Sequence, residues 1–240
     1  MDPRYKSPGA NVERDEDTAF RELGAFTTAV QWMLRAGAAL AAISLLSSLM
    51  QLDLLSRSYT PAEGQANDLR EGAIGATLLL RIATLITFGR WIVLAHRNLV
   101  PLGASYLEFR PGWAVGWFFI PIGNLWKPYQ AMKALWQNSH SVAKPELQDT
   151  TWLLPTWWTL WLISAFVGSA VNRMTLRAKT IEDFVVSTEM TIVNIAVELP
   201  LYFVAAALLG QIWRAQQVQR EHPEEFRPVP GFADGGGAPR

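Results

Sequence analysis

Two charged residues of opposite sign, Arg81 and Glu198, each stand deep inside a long run that is otherwise almost free of charge. At the depth of a bilayer one such charge costs roughly 2.5–3.5 kcal/mol, so it needs a partner or a wet cavity. The flanking residues supply hydrogen-bonding groups at helical spacing. Thr191, Asn194, Glu198 and Tyr202 follow one another at intervals of three, four and four, which puts them on one helix face. Thr77, Arg81, Thr84 and Phe88 make a second such face, and Glu189 turns away to the opposite side of its helix. Pro200 removes a backbone donor just past Glu198 and is expected to kink the helix. Two chemistries fit. Arg81 and Glu198, hydrogen-bonded through Thr84 and Asn194, form a clamp that fixes helix pairing. Alternatively, Arg81, Asn194 and Glu198 line a polar path for a proton, an ion or a ligand. A single pair without a second acid or histidine at that depth favours the clamp.

The elements that would position these groups are four apolar stretches, at about 30–55, 72–95, 152–171 and 186–213. Each is long enough for a hydrocarbon core about 30 Å thick at about 1.5 Å per residue. Only 18% of the residues are charged, against about 25% in a soluble domain. No charge falls between Ala36 and Leu52 or between Thr150 and Asn172. The expected fold is therefore all-α: a polytopic transmembrane helical bundle. Arg81 and Glu198, entered from the same side, come to nearly the same level. Ser44, Ser47, Ser48 and Gln51 mark a polar side of the first span. Seven tryptophans, Trp32, Trp91, Trp113, Trp117, Trp136, Trp152 and Trp213, fall near expected span ends or in the connection after the second span, where an amphipathic ring is at home. With four spans, basic residues divide thirteen to the termini and the central connection against five to the two short loops. By the positive-inside rule both termini are cytoplasmic, in a cell inner membrane. The first run is too long for a cleavable signal and reads as a retained anchor. Residues 1–29 and 214–240 read as mostly disordered tails, with a short helix near Phe20–Phe26 and a brief helical continuation after Arg214. The polar connection Ser56–Glu71 reads as a loop.

Between spans two and three lies a segment, 111–138, of a different kind. Its apolar part is broken by Pro121, Gly123 and Asn124, as expected of a re-entrant or interfacial piece. Tyr129, Met132, Leu135 and Trp136 then recur at helical spacing, which suits a helix lying along the membrane surface. The stretch runs from Trp91 through His96, Arg97, Asn98 and Leu99. It continues with Phe109, Arg110, Pro111, Gly112, Trp113, Gly116, Trp117, Phe118, Phe119, Pro121, Asn124, Leu125, Trp126, Lys127, Pro128 and Tyr129. It resembles the bacterial membrane family known as domain of unknown function 4328, over about Trp32 to Trp213. That resemblance implies a multi-span membrane protein and brings no catalytic residues. The residues themselves suggest a cytosol-facing pocket lined by His96, Arg97, Asn98, Asn124 and Lys127, with Asn124 satisfying backbone freed by the break. The competing reading is a collar that packs the bundle. Arg97 and Arg110 are placed to meet anionic lipid headgroups.

Other chemistries lack their residues. There is no cysteine, which removes disulfides and thiolate sites. His96, His140 and His222 are scattered, and His222 with Glu221, Glu224 and Glu225 falls in a tail. No phosphate loop, zinc-protease helix or serine elbow is present. No cofactor or metal is expected, and the zero net charge argues against nucleic acid. Arginine outnumbers lysine 16 to 5, read as a GC-rich bacterial coding bias. Ser164/Gly168 and Ala165/Ser169 give small-residue spacing for close helix packing, in the bundle or in a homo-oligomer. The sequence therefore reads as a non-enzymatic membrane scaffold or regulator, with a small transporter or channel subunit as the alternative. Its partners are the lipid bilayer and another membrane protein or a second copy.

Overall fold

The computed structural model describes residues 19–75, 77–104 and 107–223. Most of both expected tails, with Arg4, Lys6, Arg14, Arg227 and Arg240, lies outside the described residues. The described residues form helices joined by turns and short connections, with no strand. They comprise α1 (Gly24–Leu55), α2 (Pro61–Gly75), α3 (Leu78–Arg97), α4 (Pro111–Gly116), α5 (Lys127–His140), α6 (Leu153–Arg177) and α7 (Ile181–Glu221). Three short 3-10 turns, Trp117–Phe119, Gly123–Leu125 and Pro145–Leu147, complete them. Four stretches are long and apolar enough to cross a membrane: Gly24–Leu55, Pro61–Arg97, Leu153–Arg177 and Ile181–Glu221. The fold is the all-α, four-span architecture with a short broken segment between spans two and three. α4, six residues long, is far too short to span.

The helices are longer at their ends than the apolar runs. α1 starts at Gly24 rather than near 30, and α7 runs 41 residues, from Ile181 to Glu221, rather than from 186 to 213. Polar residues extend a helix once its apolar part is anchored, because each added residue gains a backbone bond. Pro200 does not interrupt α7. The connection expected as a loop, 56–71, mostly belongs to α2. The missed signal is a capping box: Glu63 accepts from the Thr60 backbone N–H (2.8 Å) and the Glu63 N–H donates back to Thr60 Oγ1 (3.3 Å), with Pro61 opening the helix. Thr180 and Asp183 cap α7 in the same reciprocal way.

The chain forms two compact units. One comprises residues 24–91 and 151–210. Within it α1 and α2 pair as an antiparallel hairpin, joined by a short relay: Arg70 Nε donates to Ser47 Oγ (2.6 Å), which donates to Glu71 Oε1 (2.5 Å). Arg70 also donates to Asn67 Oδ1. Ser44, Ser47 and Ser48 are buried on this side of α1. Farther along, the Trp91 indole donates to Thr27 Oγ1 (2.8 Å), and Gln31 Nε2 donates to the Ala206 carbonyl (2.8 Å). Buried Val30, Leu34, Trp91, Leu154, Trp157, Leu208 and Leu209 fill the apolar interior.

One glycine allows the closest approach in this unit. A Cβ at Gly37 would lie 2.7 Å from Tyr202 Cε1. Gly→Ala in an ordinary helix interior gains up to about 1 kcal/mol of helix propensity. Here overpacking against the ring, typically 1–3 kcal/mol, opposes that gain. Gly37→Ala is expected to lower the melting temperature in detergent, and Tyr202→Leu in the same chain to recover it. A rise in melting temperature with Gly37→Ala alone would refute the close approach.

The other unit comprises described residues 19–23, 92–150 (without 105 and 106) and 211–223. Its core is Ile92, Leu99, Phe109, Met132, Leu135, Trp136 and Ile212. α5 buries Pro128, Ala131, Met132, Leu135, Trp136 and Ser139, one stripe at helical spacing. Of the stripe Tyr129, Met132, Leu135 and Trp136 that suited a helix along the membrane surface, the last three face protein. Trp136 Nε1 also donates to the Asp149 carbonyl (3.1 Å).

Candidate functional site

In the first unit, helical spacing on α3 and α7 brings Arg81 to Glu198. Arg81 Nη1 donates to Glu198 Oε1 at 3.3 Å and lies 3.1 Å from Oε2. The contact is one nitrogen against one carboxylate edge, not the two-pronged fork a guanidinium can make. Asn194, one turn before Glu198 on α7, donates its Nδ2–H to the same Oε1 at 2.9 Å. Oε1 thus accepts from both, while Glu198 Oε2 and Asn194 Oδ1 are buried and accept no hydrogen bond. The Arg81 side chain is 35% exposed and that of Glu198 13%. The acid is the more deeply enclosed member.

Thr84 does not join the pair. Its hydroxyl is buried and donates to the Leu80 carbonyl (2.8 Å) on its own helix. A threonine within a helix always has the carbonyl four residues back within reach, and here that acceptor wins over the guanidinium. Thr191 does the same, bonding the Ser187 carbonyl (2.8 Å). Neighbours from the other two long helices complete the surroundings. A Cβ at Gly168 on α6 would touch the Asn194 carboxamide at 3.6 Å, so the small-residue spacing of α6 faces Asn194. Tyr202 lies against Gly37 on α1. Residues of all four long helices therefore surround one level. A hydrocarbon core centred on it extends about ten residues each way along a helix, which from Gly37 reaches Ser47. The Ser47–Arg70–Glu71 relay then belongs to a membrane edge. Glu189 is exposed.

The five residues expected to line a second pocket all fall in the other unit, in different local settings. His96 is buried, and its Nδ1–H donates to the Ile92 carbonyl (2.9 Å). A carbonyl only accepts, so Nδ1 carries the proton. Arg97 is exposed at the end of α3. Asn98 is fully buried: its Oδ1 accepts from the Arg21 backbone N–H (2.9 Å) and its Nδ2 donates to the Arg21 carbonyl (2.9 Å). Lys127 Nζ stands over the rings of Phe109 (5.7 Å) and Trp117 (5.9 Å), a cation–π arrangement. Asn124 bonds through its backbone, its N–H donating to the Ile120 carbonyl (2.7 Å), while its side-chain Oδ1 is buried without a partner. The expected rescue of broken backbone by its side chain is not what the structure holds.

Sequence reasoning missed a buried glutamine pair on the last turns of α7. Gln216 Nε2 donates to the Ala95 carbonyl (2.9 Å) and to Ser139 Oγ (3.1 Å), and Gln216 Oε1 accepts from Asn98 Nδ2 (3.4 Å). Gln219 Nε2 donates to the Asn138 carbonyl (2.8 Å) and its Oε1 accepts from the Val142 N–H (3.3 Å). Asn138 and Val142 are the two groups that would bond each other if α5 continued one residue further. The Gln219 amide substitutes for both, as the end of a helix requires. The available signal was the recurrence Gln216/Gln219 three residues apart beyond Trp213, on a helix the apolar pattern alone does not extend that far. Among the described residues no group of three or more His, Asp or Glu is placed to hold a metal.

Four membrane-length apolar helices, an all-helical chain and an ion pair held between two of those helices define a polytopic helical membrane protein. Residues 56–214 match the family described as Domain of unknown function (DUF4328), and the chain belongs to that family. The match begins at residue 56 rather than near Trp32, so α1 lies outside it even though Thr27 and Gln31 bond matched residues. Comparison with curated proteins and with solved structures finds no match.

Proposed function

We propose that this protein is a non-enzymatic membrane scaffold or regulator in which Arg81 and Glu198 act as a clamp on helix pairing. The reading rests on the closeness of the pair, 3.1 Å, inside a junction where Gly37 and Gly168 let other helices approach Tyr202 and Asn194. A carboxylate with two donors on one oxygen holds α3 and α7 in one register, because sliding either helix by a residue separates the charges. The distribution of Arg and Lys further supports a bacterial inner-membrane location with both termini cytoplasmic. Another membrane protein, or a second copy, is the partner such a scaffold would hold.

A second reading is favoured by one observation: Asn194 Oδ1 is a buried acceptor without a donor, and Glu198 Oε2 beside it meets Arg81 Nη1 by charge but accepts no hydrogen bond. A transported proton or small cation would occupy such acceptors, and the chain would then be a small transporter or channel subunit with Arg81, Asn194 and Glu198 in its path. Reconstitution separates the two. The clamp reading expects vesicles containing the wild-type chain to leak protons and monovalent cations no faster than vesicles containing the Arg81→Gln/Glu198→Gln double variant. Flux that the wild type supports and the well-folded double variant loses would replace the clamp with the path.

A further inference from the structure

We propose that the broken segment between α3 and α5 is a wedge that inserts into the headgroup region of an anionic lipid leaflet. Large apolar side chains are rarely left uncovered in a cluster unless something other than water covers them. Within fourteen residues this segment exposes Trp113 (52%), Phe119 (82%), Ile122 (72%), Leu125 (43%) and Trp126 (44%). The backbone holds them out on purpose-built geometry. Two short 3-10 turns replace a continuous helix. Buried Gly123 lets the turn fold back on Trp117, where a Cβ would lie 2.7 Å from the Trp117 ring. Most apolar side chains of the neighbouring α5 are buried, while these five of the wedge stand out within one short run.

Charge selects the occupant. From Phe109 to Pro145 there is no Asp or Glu, while Arg110, Lys127, Lys133 and Lys144 lie in the same run. Arg97 and Arg110 are exposed beside the wedge in sequence, and Lys127 sits over its aromatic rings. Aromatic and aliphatic side chains flanked by cations match the acyl boundary and the phosphate layer of an anionic leaflet. A leaflet is also at hand: the unit that carries the wedge contains the last turns of α3 and α7, both parts of membrane-length helices. This inference rests on the membrane class of the chain and is independent of whether Arg81 and Glu198 clamp or conduct.

The absence of native cysteine makes the test clean. Phe119→Cys and Ile122→Cys, each carrying the environment-sensitive NBD fluorophore, are placed in the full chain in nanodiscs of phosphatidylcholine with about a third phosphatidylglycerol. Both probes are expected to be shielded from aqueous iodide and quenched by nitroxide-labelled lipid. Labelled phosphatidylglycerol should quench more strongly than labelled phosphatidylcholine. Arg97→Gln and Arg110→Gln should each weaken that preference, by up to about fivefold if each residue contributes fully near the surface. Iodide access without lipid quenching would overturn the proposal by placing the wedge in water. Shielding from both quenchers would overturn it in favour of a protein occupant, such as a second copy. Equal quenching by the two labelled lipids would overturn the anionic selectivity.

Discussion

Arg81→Gln alone is expected to destabilise the folded protein by about 3 kcal/mol, the cost of leaving one partner of a buried pair uncompensated. Glu198→Gln alone should cost less. The difference follows from the geometry. Removing Arg81 strands a carboxylate that is 13% exposed and keeps only the Asn194 donor. Removing Glu198 strands a guanidinium on a longer arm, 35% exposed, which can reposition toward another acceptor. The double variant removes both charges and should recover most of the lost stability, because two amides that can bond each other cost far less to desolvate than one unpaired charge. Thermal unfolding in detergent, with monodispersity by size exclusion, reads all three. A coupling of about 2 kcal/mol or more between the substitutions supports the clamp. Additive losses, with the double variant worst of all, would show that each charge acts through something other than its partner. Thr84→Val supplies an internal control: its hydroxyl serves only the Leu80 carbonyl, so its effect should stay within about 1 kcal/mol.

The spans and the pair were legible because each rests on a strong, local rule. A long uncharged run admits one solvent, and charges of opposite sign at matched depth admit one arrangement with low cost. Asn194 was legible for the same reason, since four residues on a helix is one turn. Thr84 misled because spacing gives a face and not a rotamer; the hydroxyl found its own helix first. Gly37 carries no signal of its own, since a lone glycine becomes a contact only when the facing helix is known; Gly168 was marked by its small-residue spacing, but its contact with Asn194 was not. What covers the α5 stripe was not legible for a related reason. An amphipathic stripe fits a lipid surface and a protein core equally well, and Met132, Leu135 and Trp136 turned out to be covered by protein. α2 was not legible from the apolar pattern because its residues are mostly polar; its only local mark is the Thr60/Glu63 capping box. In each failure the chemistry of the residue was read correctly and its partner was not.

Outside the ion pair, Gln216 is the position with the largest expected effect, and Gln216→Leu should cost about 3 kcal/mol. α3 ends near Arg97, and its final carbonyls need donors. Leu94 receives the Asn98 N–H, and His96 receives the Leu99 N–H at 3.2 Å. Leu99 is the residue whose N–H would have served Ala95 in a continuing helix, so the Ala95 carbonyl depends on Gln216 Nε2 at 2.9 Å. Leucine fills a similar volume but offers no donor. It would orphan a buried carbonyl, at about 1–3 kcal/mol, and remove the bonds to Ser139 and Asn98 as well. Gln216→Glu at neutral pH should be worse than leucine, since it would bury a carboxylate against the same carbonyl. Gln219→Leu should fall in the same range, for it leaves both the Asn138 carbonyl and the Val142 N–H without the amide that joins them. Melting temperatures of the three variants in detergent check the order. If Gln216→Leu melts with the wild type, the Ala95 carbonyl has another donor, and α7 does not close the end of α3. If it melts low while proteolysis cuts first near residues 98–104, the glutamine is the stop that turns the chain from the second span into the wedge.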